Sequence, residues 1–124
     1  MKVAIVYGGY SSEKDASTEN AHYINEALKE CGYETHMVPY GKNLVGTLRS
    51  LGTDMVYVCV QGKGHGDGTI QAILEQEGIP FTGSGSHAAA IINDKILCKL
   101  LFDRCGIRTP RWQMLTKEEF DKGA

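Results

Sequence analysis

Short, continuous apolar runs alternate along the chain with segments whose apolar residues recur at helical spacing. The runs at residues 3–7 and 55–60 are each followed by a glycine-containing loop. Such runs are typical of strands that are buried on both faces of a parallel sheet. Residues 35–38 and 79–82 form two shorter runs. The pattern therefore predicts four strands.

Helical periodicity fills the segments between these runs. Ala21, Ile24, Leu28 and Cys31 recur three or four residues apart, and Gly32 follows them, which is typical of a helix that ends at glycine. Similar segments precede three further glycines, namely Gly52, Gly78 and Gly106. Alternating strands and helices predict right-handed crossovers, with helices on both faces of the sheet. We therefore expect a three-layer α/β domain with a mostly parallel sheet of four or more strands.

Glycine-rich loops follow the predicted strands where α/β domains bind their ligands. Gly8 and Gly9 follow the first strand, residues 62–68 follow the third, and residues 83–85 follow the fourth. The carboxyl ends of parallel strands lie at one edge of the sheet, and glycine lets backbone N–H groups come close to a ligand there. The loops indicate a phosphate or carboxylate site, although any doubly wound sheet also uses glycine at its turns.

The last residues predict the beginning of a further element. Thr109-Pro110 favours extended backbone, residues 111–115 fit a strand, and Thr116 with Glu119 forms a capping-box pattern that opens a helix. So short a helix does not hold in water without packing. We expect residues 1–108 to form one domain and residues 109–124 to be a linker or the first elements of an absent second domain; a frayed terminus is the alternative.

Composition narrows the classes of function. The 124 residues suit one domain, and 42% hydrophobic with 23% charged residues exclude a disordered chain. A net charge of -2 provides no basic surface for nucleic acid, and no apolar stretch reaches the ~18 residues of a membrane span. Four cysteines without a CxxC pair indicate reduced thiols and a cytoplasmic location.

Three polar residues are candidates for chemistry. Glu13 lies in the polar loop after the first strand, where a carboxylate can accept charge-assisted bonds from a ligand ammonium; a solvated loop acid is the alternative. Lys95 begins a predicted helix, where a cation opposes the helix dipole, so it is held by Asp94 or faces a phosphate. His65 has no second ligand at metal-binding spacing, so no metal site is predicted.

A series of short motifs runs along the chain in a fixed order. It comprises Gly8-Gly9-x-Ser11-Ser12-Glu13, Asp67-Gly68-Thr69-Ile70-Gln71, Thr82-Gly83-Ser84-Gly85, Asp94-Lys95 and Thr109-Pro110-Arg111-Trp112. In this order the motifs resemble the amino-terminal part of the D-alanine:D-alanine ligases, which are ATP-grasp ligases. The resemblance implies a Rossmann-like (pre-ATP-grasp) fold and a substrate-binding role for residues 1–108.

The resemblance also implies a reaction, that of an ADP-forming carboxylate–amine ligase. ATP phosphorylates the carboxylate of one D-alanine, and the amine of a second D-alanine attacks the acyl phosphate to give the dipeptide of peptidoglycan. Glu13 matches the family's acid at the first D-alanine ammonium and is our candidate catalytic residue. Ser17, Gln61 and Gly62 fall in the same substrate site, and Lys95 matches a lysine that contacts ATP phosphates.

The resemblance implies that the rest of the family's site belongs to domains that we expect to be absent from residues 1–124. The magnesium-binding acids and the nucleotide cleft lie in the central and carboxyl-terminal domains of the family. ATP and Mg²⁺ are therefore expected with the full-length enzyme, while the isolated chain is expected to be inactive and to bind neither tightly. The resemblance further implies a homodimer.

The chain departs from the family pattern in the loop after the third strand. The family reads His-Gly-x-Gly-Gly-Glu-Asp-Gly, whereas this chain has Gln61 for the histidine, Gly66 for the glutamate, and His65 for a glycine. A hydrogen bond to a charged group contributes ~1.5–3 kcal/mol and a neutral one ~0.5–1.5 kcal/mol. Loss of the histidine and the glutamate removes two charged groups of the family's site, and energies of this size are enough to change substrate choice. The second substrate therefore stays open among D-alanine, D-serine, D-lactate and other D-residues. The alternative function is a stand-alone Rossmann-like module that binds a nucleotide or anion without catalysis.

Overall fold

The computed structural model describes residues 1–62 and 66–123. Within them, strands and helices follow one another as β1 (Lys2–Tyr7), α1 (Lys14–Glu30), β2 (Glu34–Pro39), α2 (Leu44–Leu51), β3 (Met55–Val58), α3 (Thr69–Gln76), α4 (Ser86–Asn93), α5 (Lys95–Arg104) and α6 (Lys117–Asp121). The chain divides into two compact units, Met1–Asn93 and Asp94–Ala124. The first unit holds the sheet and the loops at its carboxyl edge.

The sheet of the first unit is parallel and has β1 at its centre. The strand order is β2-β1-β3, and β1 pairs in parallel with both neighbours. Ile5 of β1 lies opposite Met37 of β2 and Tyr57 of β3. Residues 3–6 are buried, as expected for a strand that is covered on both faces.

Alternate side chains of β1 pack into two separate clusters, one on each face of the sheet. Ile5 points to the cluster that includes Ala21 of α1, together with half-buried Ile24 and Leu28. On the other face lies the larger cluster, which α2 and α3 cover: Ala4, Val6, Val38, Leu44, Leu48, Val56, Val60, Ile70 and Leu74. Helices therefore cover both faces, which confirms the three-layer α/β fold.

The predicted fourth strand is reduced to a single bridge. Phe81 pairs in parallel with Val56, whose N–H donates to the Pro80 carbonyl at 2.8 Å and whose carbonyl accepts the Thr82 N–H at 3.0 Å. Pro80 has no N–H to extend the ladder, and Gly83 turns the chain with φ +100°. The described residues thus form a three-stranded sheet, and the prediction of four or more strands is not confirmed.

The second unit contains two capped helices, α5 at its beginning and α6 near its end. The Asp94 carboxylate accepts the Leu97 N–H at 2.9 Å at the start of α5. At α6 the Thr116 hydroxyl accepts the Glu119 N–H at 3.2 Å, and the Glu119 carboxylate accepts the Thr116 N–H at 2.7 Å. This pair is the predicted capping box.

The rest of the tail differs from the sequence-based expectation. Residues 111–115 lie outside helices and strands, so the strand predicted there is wrong. A strand requires a hydrogen-bonded neighbour, and the described residues pair no strand with this segment. The domain boundary predicted between residues 108 and 109 stays a prediction.

A carboxylate from α3 caps the beginning of α4. Glu75 Oε1 accepts the Ser86 N–H at 2.9 Å, and Glu75 Oε2 accepts the Ser86 hydroxyl at 2.6 Å. These two bonds, the side-chain bond foremost, lower the pKa of Glu75 from its ordinary value of 4.5. Because the folded-state pKa is the lower one, unfolding takes up a proton in acid, and the Glu75 contribution to stability is present above pH 4.5.

We expect this contribution to disappear as the pH falls through the lowered pKa of Glu75. Glu75→Gln should reduce the free energy of unfolding at pH 7, and the difference between parent and variant should shrink below pH 4.5. Urea unfolding from pH 7 to pH 3 measures both quantities. Glu30→Gln, at an exposed acid at the end of α1, is the control. The same pH profile for both variants would contradict a specific role of Glu75.

Candidate functional site

Two loops meet at the carboxyl edge because β1 and β3 are adjacent and parallel. One loop follows β1 and leads through Gly8 into α1, and the other follows β3 and leads to Gly62. The Cys59 N–H donates to the Val6 carbonyl at 2.8 Å, so the β1–β3 pairing continues one residue beyond β3. The ends of both strands are thereby held side by side.

Ser17, in the first turn of α1, ties these strand ends together. Its side chain is completely buried. The hydroxyl donates to the Cys59 carbonyl at 2.7 Å and accepts the Gly8 N–H at 2.9 Å. Both bonds are internal to the protein, and the sequence pattern gave no sign of them. The substrate-binding role of Ser17 stays a prediction.

Ser11 forms a second link between the loops, nearer to solvent. Its hydroxyl donates to the Gln61 carbonyl at 2.9 Å and accepts the Glu13 N–H at 3.2 Å. Sequence reasoning included Ser11 in a motif but assigned it no role. Nothing in the local pattern distinguishes it from Ser12, because its partner lies 50 residues away.

Glu13 lies against Gly62 at the rim of this edge. Gly62 has φ +85°, and a Cβ placed on it would lie 3.3 Å from Glu13 Oε2 and 2.9 Å from the Ser11 Cβ. A side chain at position 62 would therefore displace Ser11 or Glu13. Glu13 and Gln61 are exposed. The structure brings Glu13, Gln61 and Gly62 together above Ser17, while their roles in binding stay predictions.

The far side of the glycine-rich loop is held by α4. The Asn93 side-chain amide donates to the Gly66 carbonyl at 2.9 Å. Gly68 has φ +99°, and a Cβ on it would lie 2.6 Å from the Ser86 carbonyl oxygen, so only glycine fits this approach. Residues 63–65, including His65, lie outside the described residues.

An apolar cavity of about 300 Å³ lies beside the β1 loop. The rings of Tyr10 and Tyr40 meet edge to face at one side, with centroids 6.5 Å apart. Burial raises the pKa of Tyr40 above 10.0, with further contributions from Asp67 and Tyr10. The Tyr40 phenol is therefore neutral at pH 7. The cavity is lined by Tyr10, Tyr40, Gly41, Lys42, Leu44, Val45 and Ile73.

Three further findings concern the described part of the chain. Lys95 is the first residue of α5 in the second unit, directly after the capping residue Asp94. No group of three or more His, Cys, Asp or Glu residues that could hold a metal ion occurs in residues 1–62 and 66–123. In the same residues, no helix has the length and apolar character needed to cross a membrane.

Removing the Ser17 hydroxyl should destabilise the first unit. Ser17→Ala leaves the Gly8 N–H and the Cys59 carbonyl without this partner in a buried place, so the free energy of unfolding should fall by ~1–3 kcal/mol. Urea unfolding of the chain measures the change. Thr18→Ala, which removes an exposed helix-surface hydroxyl bonded to the Lys14 carbonyl, is the control and should change stability by at most ~0.5 kcal/mol. Equal losses in both variants would contradict the assigned link.

Comparison with known proteins identifies relatives along most of the chain. No protein-family model matches it. It is 36% identical to a D-alanine–D-alanine ligase of Bordetella petrii, over 92% of this chain and 35% of that protein. It is 37% identical to a D-alanine–D-alanine ligase of Azoarcus sp., over 97% of this chain and 40% of that protein. The chain therefore spans well under half the length of these relatives.

Solved structures give the same result. A crystal structure of the D-alanine–D-alanine ligase from Bacillus anthracis complexed with ATP matches 98% of this chain and 44% of its own, with a TM-score of 0.78 and 30% identity. The D-alanyl-alanine synthetase A of Vibrio cholerae matches 98% of this chain and 43% of its own, with a TM-score of 0.78 and 25% identity. These residues are therefore homologous to the amino-terminal part of the D-alanine–D-alanine ligases, which confirms the resemblance found in the sequence.

Proposed function

We propose that this chain is the substrate-binding amino-terminal domain of an ATP-dependent D-alanine:D-alanine ligase that serves peptidoglycan synthesis. The observation that carries the proposal is the position of the Glu13 carboxylate against Gly62, in a chain whose relatives are named D-alanine–D-alanine ligases. The share of those relatives that the chain spans, 35% and 40%, supports a division of the active site between this chain and further sequence.

In the proposed site, Glu13 holds the ammonium group of the first D-alanine. Its carboxylate is exposed at the rim of the edge, and an ion-paired hydrogen bond to an ammonium is stronger than one between neutral groups. Gly62, which carries no side chain, leaves space beside that carboxylate. Gln61 replaces the charged histidine of the family, so the proposal includes D-alanine, D-serine, D-lactate and other D-residues as second substrates.

The chain contributes positioning to the reaction. In the proposed reaction, ATP phosphorylates the first D-alanine carboxylate, and the second amine then displaces phosphate to form the peptide bond. A fixed ammonium orients the substrate carboxylate, and such orientation lowers the entropic part of the barrier. The ties made by Ser11 and Ser17 keep the Glu13 loop in place without the substrate.

Lys95 is the proposed ATP contact of this chain. It stands in the first turn of α5, where helix N–H groups and a lysine ammonium both favour a phosphate. The ATP named with the Bacillus anthracis ligase supports this cofactor for the family. The described residues offer no three-ligand group for Mg²⁺, so those residues do not fit the metal by themselves, and we propose that the remaining part of the enzyme holds it.

Three more features belong to the proposal. We propose a cytoplasmic location, where ATP is available; the four cysteines are free thiols, which is compatible with a reducing compartment. A homodimer and a domain boundary between residues 108 and 109 also belong to the proposal. Tight binding of ATP by the isolated chain would instead favour the alternative of a stand-alone nucleotide-binding module.

A fusion protein tests the proposed function. Residues 1–124 are joined to the carboxyl-terminal remainder of the Bordetella petrii ligase, in place of the matched segment. We expect D-alanine-dependent release of ADP by the fusion and none by the chain alone. A fusion that unfolds cooperatively yet releases no ADP contradicts the proposal. As a second measurement, NMR titration of the chain should move the Glu13 and Gly62 amide signals with D-alanine but not with N-acetyl-D-alanine, which has no ammonium.

The carboxylate of Glu13 should control the first substrate. We expect Glu13→Gln in the fusion to raise the KM for the first D-alanine by roughly 5- to 15-fold, because the ammonium then bonds to a neutral amide oxygen in place of a carboxylate. Steady-state ADP release against D-alanine concentration measures this KM. Glu19→Gln, at an exposed acid of α1, the helix that follows Glu13, is the control and should leave KM unchanged. An unchanged KM in Glu13→Gln would remove the role given to this residue.

A further inference from the structure

We propose that Ser11 is a positioning residue that sets the direction of the Glu13 carboxylate in the first-substrate site. The inference rests on the proposed function, in which Glu13 binds the substrate ammonium. It starts from the two hydrogen bonds of one hydroxyl: Ser11 accepts the Glu13 N–H and donates to the Gln61 carbonyl. Ser11 therefore couples the residue that binds the substrate to the loop that follows β3.

The chemistry of the hydroxyl shows why Ser11 acts through Glu13. A serine hydroxyl has one proton to donate. That proton is used on the Gln61 carbonyl at 2.9 Å, so it is not available for a substrate carboxylate. The bond from the Glu13 N–H, at 3.2 Å, fixes the backbone from which the Glu13 side chain extends. Ser11 thus orients Glu13.

Gly62 lies beside both side chains of this arrangement. A Cβ at Gly62 would meet Ser11 Cβ at 2.9 Å, Ser11 Oγ at 3.0 Å and Glu13 Oε2 at 3.3 Å. The absence of a side chain at Gly62 therefore leaves room for Ser11 and Glu13 at these positions. The Lys14 N–H donates to the Ser11 carbonyl at 3.2 Å, so the turn also closes onto the first turn of α1. A shift of Ser11 would move Glu13 relative to Gly62.

The link does not depend on the identity of the side chain at position 61. Ser11 bonds to the main-chain carbonyl of Gln61, which any residue supplies. The replacement of the family's histidine by Gln61 therefore leaves this way of orienting Glu13 intact. Ser12 provides a matched comparison, because it is exposed and adjacent in the same loop.

A double-mutant cycle in the fusion protein tests the inference. The variants are Ser11→Ala, Ser12→Ala, Glu13→Gln and the double variant Ser11→Ala/Glu13→Gln. Loss of one neutral positioning bond should raise the KM for the first D-alanine by roughly 3- to 10-fold in Ser11→Ala, with kcat within about twofold of the parent. Ser12→Ala should leave KM unchanged. Because Ser11 acts through Glu13, the double variant should have the KM of Glu13→Gln alone.

The outcomes separate this inference from the proposed function. A fusion that unfolds cooperatively yet releases no ADP overturns the proposed function. An unchanged KM in Glu13→Gln overturns the role of Glu13 and, with it, this inference. Two results with a raised KM in Glu13→Gln overturn only the positioning role. In one, Ser11→Ala leaves KM unchanged. In the other, the increase in KM of the double variant equals the product of the increases in the two single variants. Ser11→Thr keeps the hydroxyl and should stay near the parental KM. If Ser11→Thr and Ser11→Ala raise KM equally, the hydroxyl does not position Glu13, and the inference fails.

Discussion

The candidate site depends on one buried hydroxyl that joins the ends of two parallel strands. Ser17 donates to the carbonyl of Cys59, which follows β3, and accepts the N–H of Gly8, which follows β1. Both strand ends have polar backbone groups that need partners when buried, and the serine supplies them from the first turn of α1. With the two ends fixed, the loops that leave them must run side by side. The second tie, through Ser11, then brings Glu13 against Gly62.

The fold was predictable to the extent that its signals are local. Residues 3–7 form a continuous apolar run because Ala4 and Val6 face one layer of helices while Ile5 faces the other. The ends of helices at glycine were equally predictable, for example at Gly52, which adopts φ +62° after α2. The fourth strand was overpredicted because an apolar run does not reveal how many ladder bonds form. Pro80 and Gly83 limit that pairing to Phe81.

The site was predictable only in part, and the reason is sequence separation. Glu13 was selected as a candidate because it belongs to a compact motif that matches the family's substrate-binding acid, and its binding role stays a prediction. The links of Ser11 to Gln61 and of Ser17 to Cys59 span 50 and 42 residues. Their formation depends on the register of β1 against β3, which local pattern does not determine. The Tyr10–Tyr40 contact at the cavity was equally unpredictable from local pattern, because it joins the loops that follow two different strands, β1 and β2.

The contact between Ser11 and Gly62, which places Glu13 in the candidate site, can be tested by a proton–proton distance without any assumption about activity. Ser11 Cβ lies 2.9 Å from where a Cβ on Gly62 would be, so the Ser11 β protons and the Gly62 α protons must be near neighbours. A nuclear Overhauser spectrum of the 124-residue chain should show a strong cross-peak between them. Assigned signals for both residues with no cross-peak would separate the two loops and contradict the account of the site.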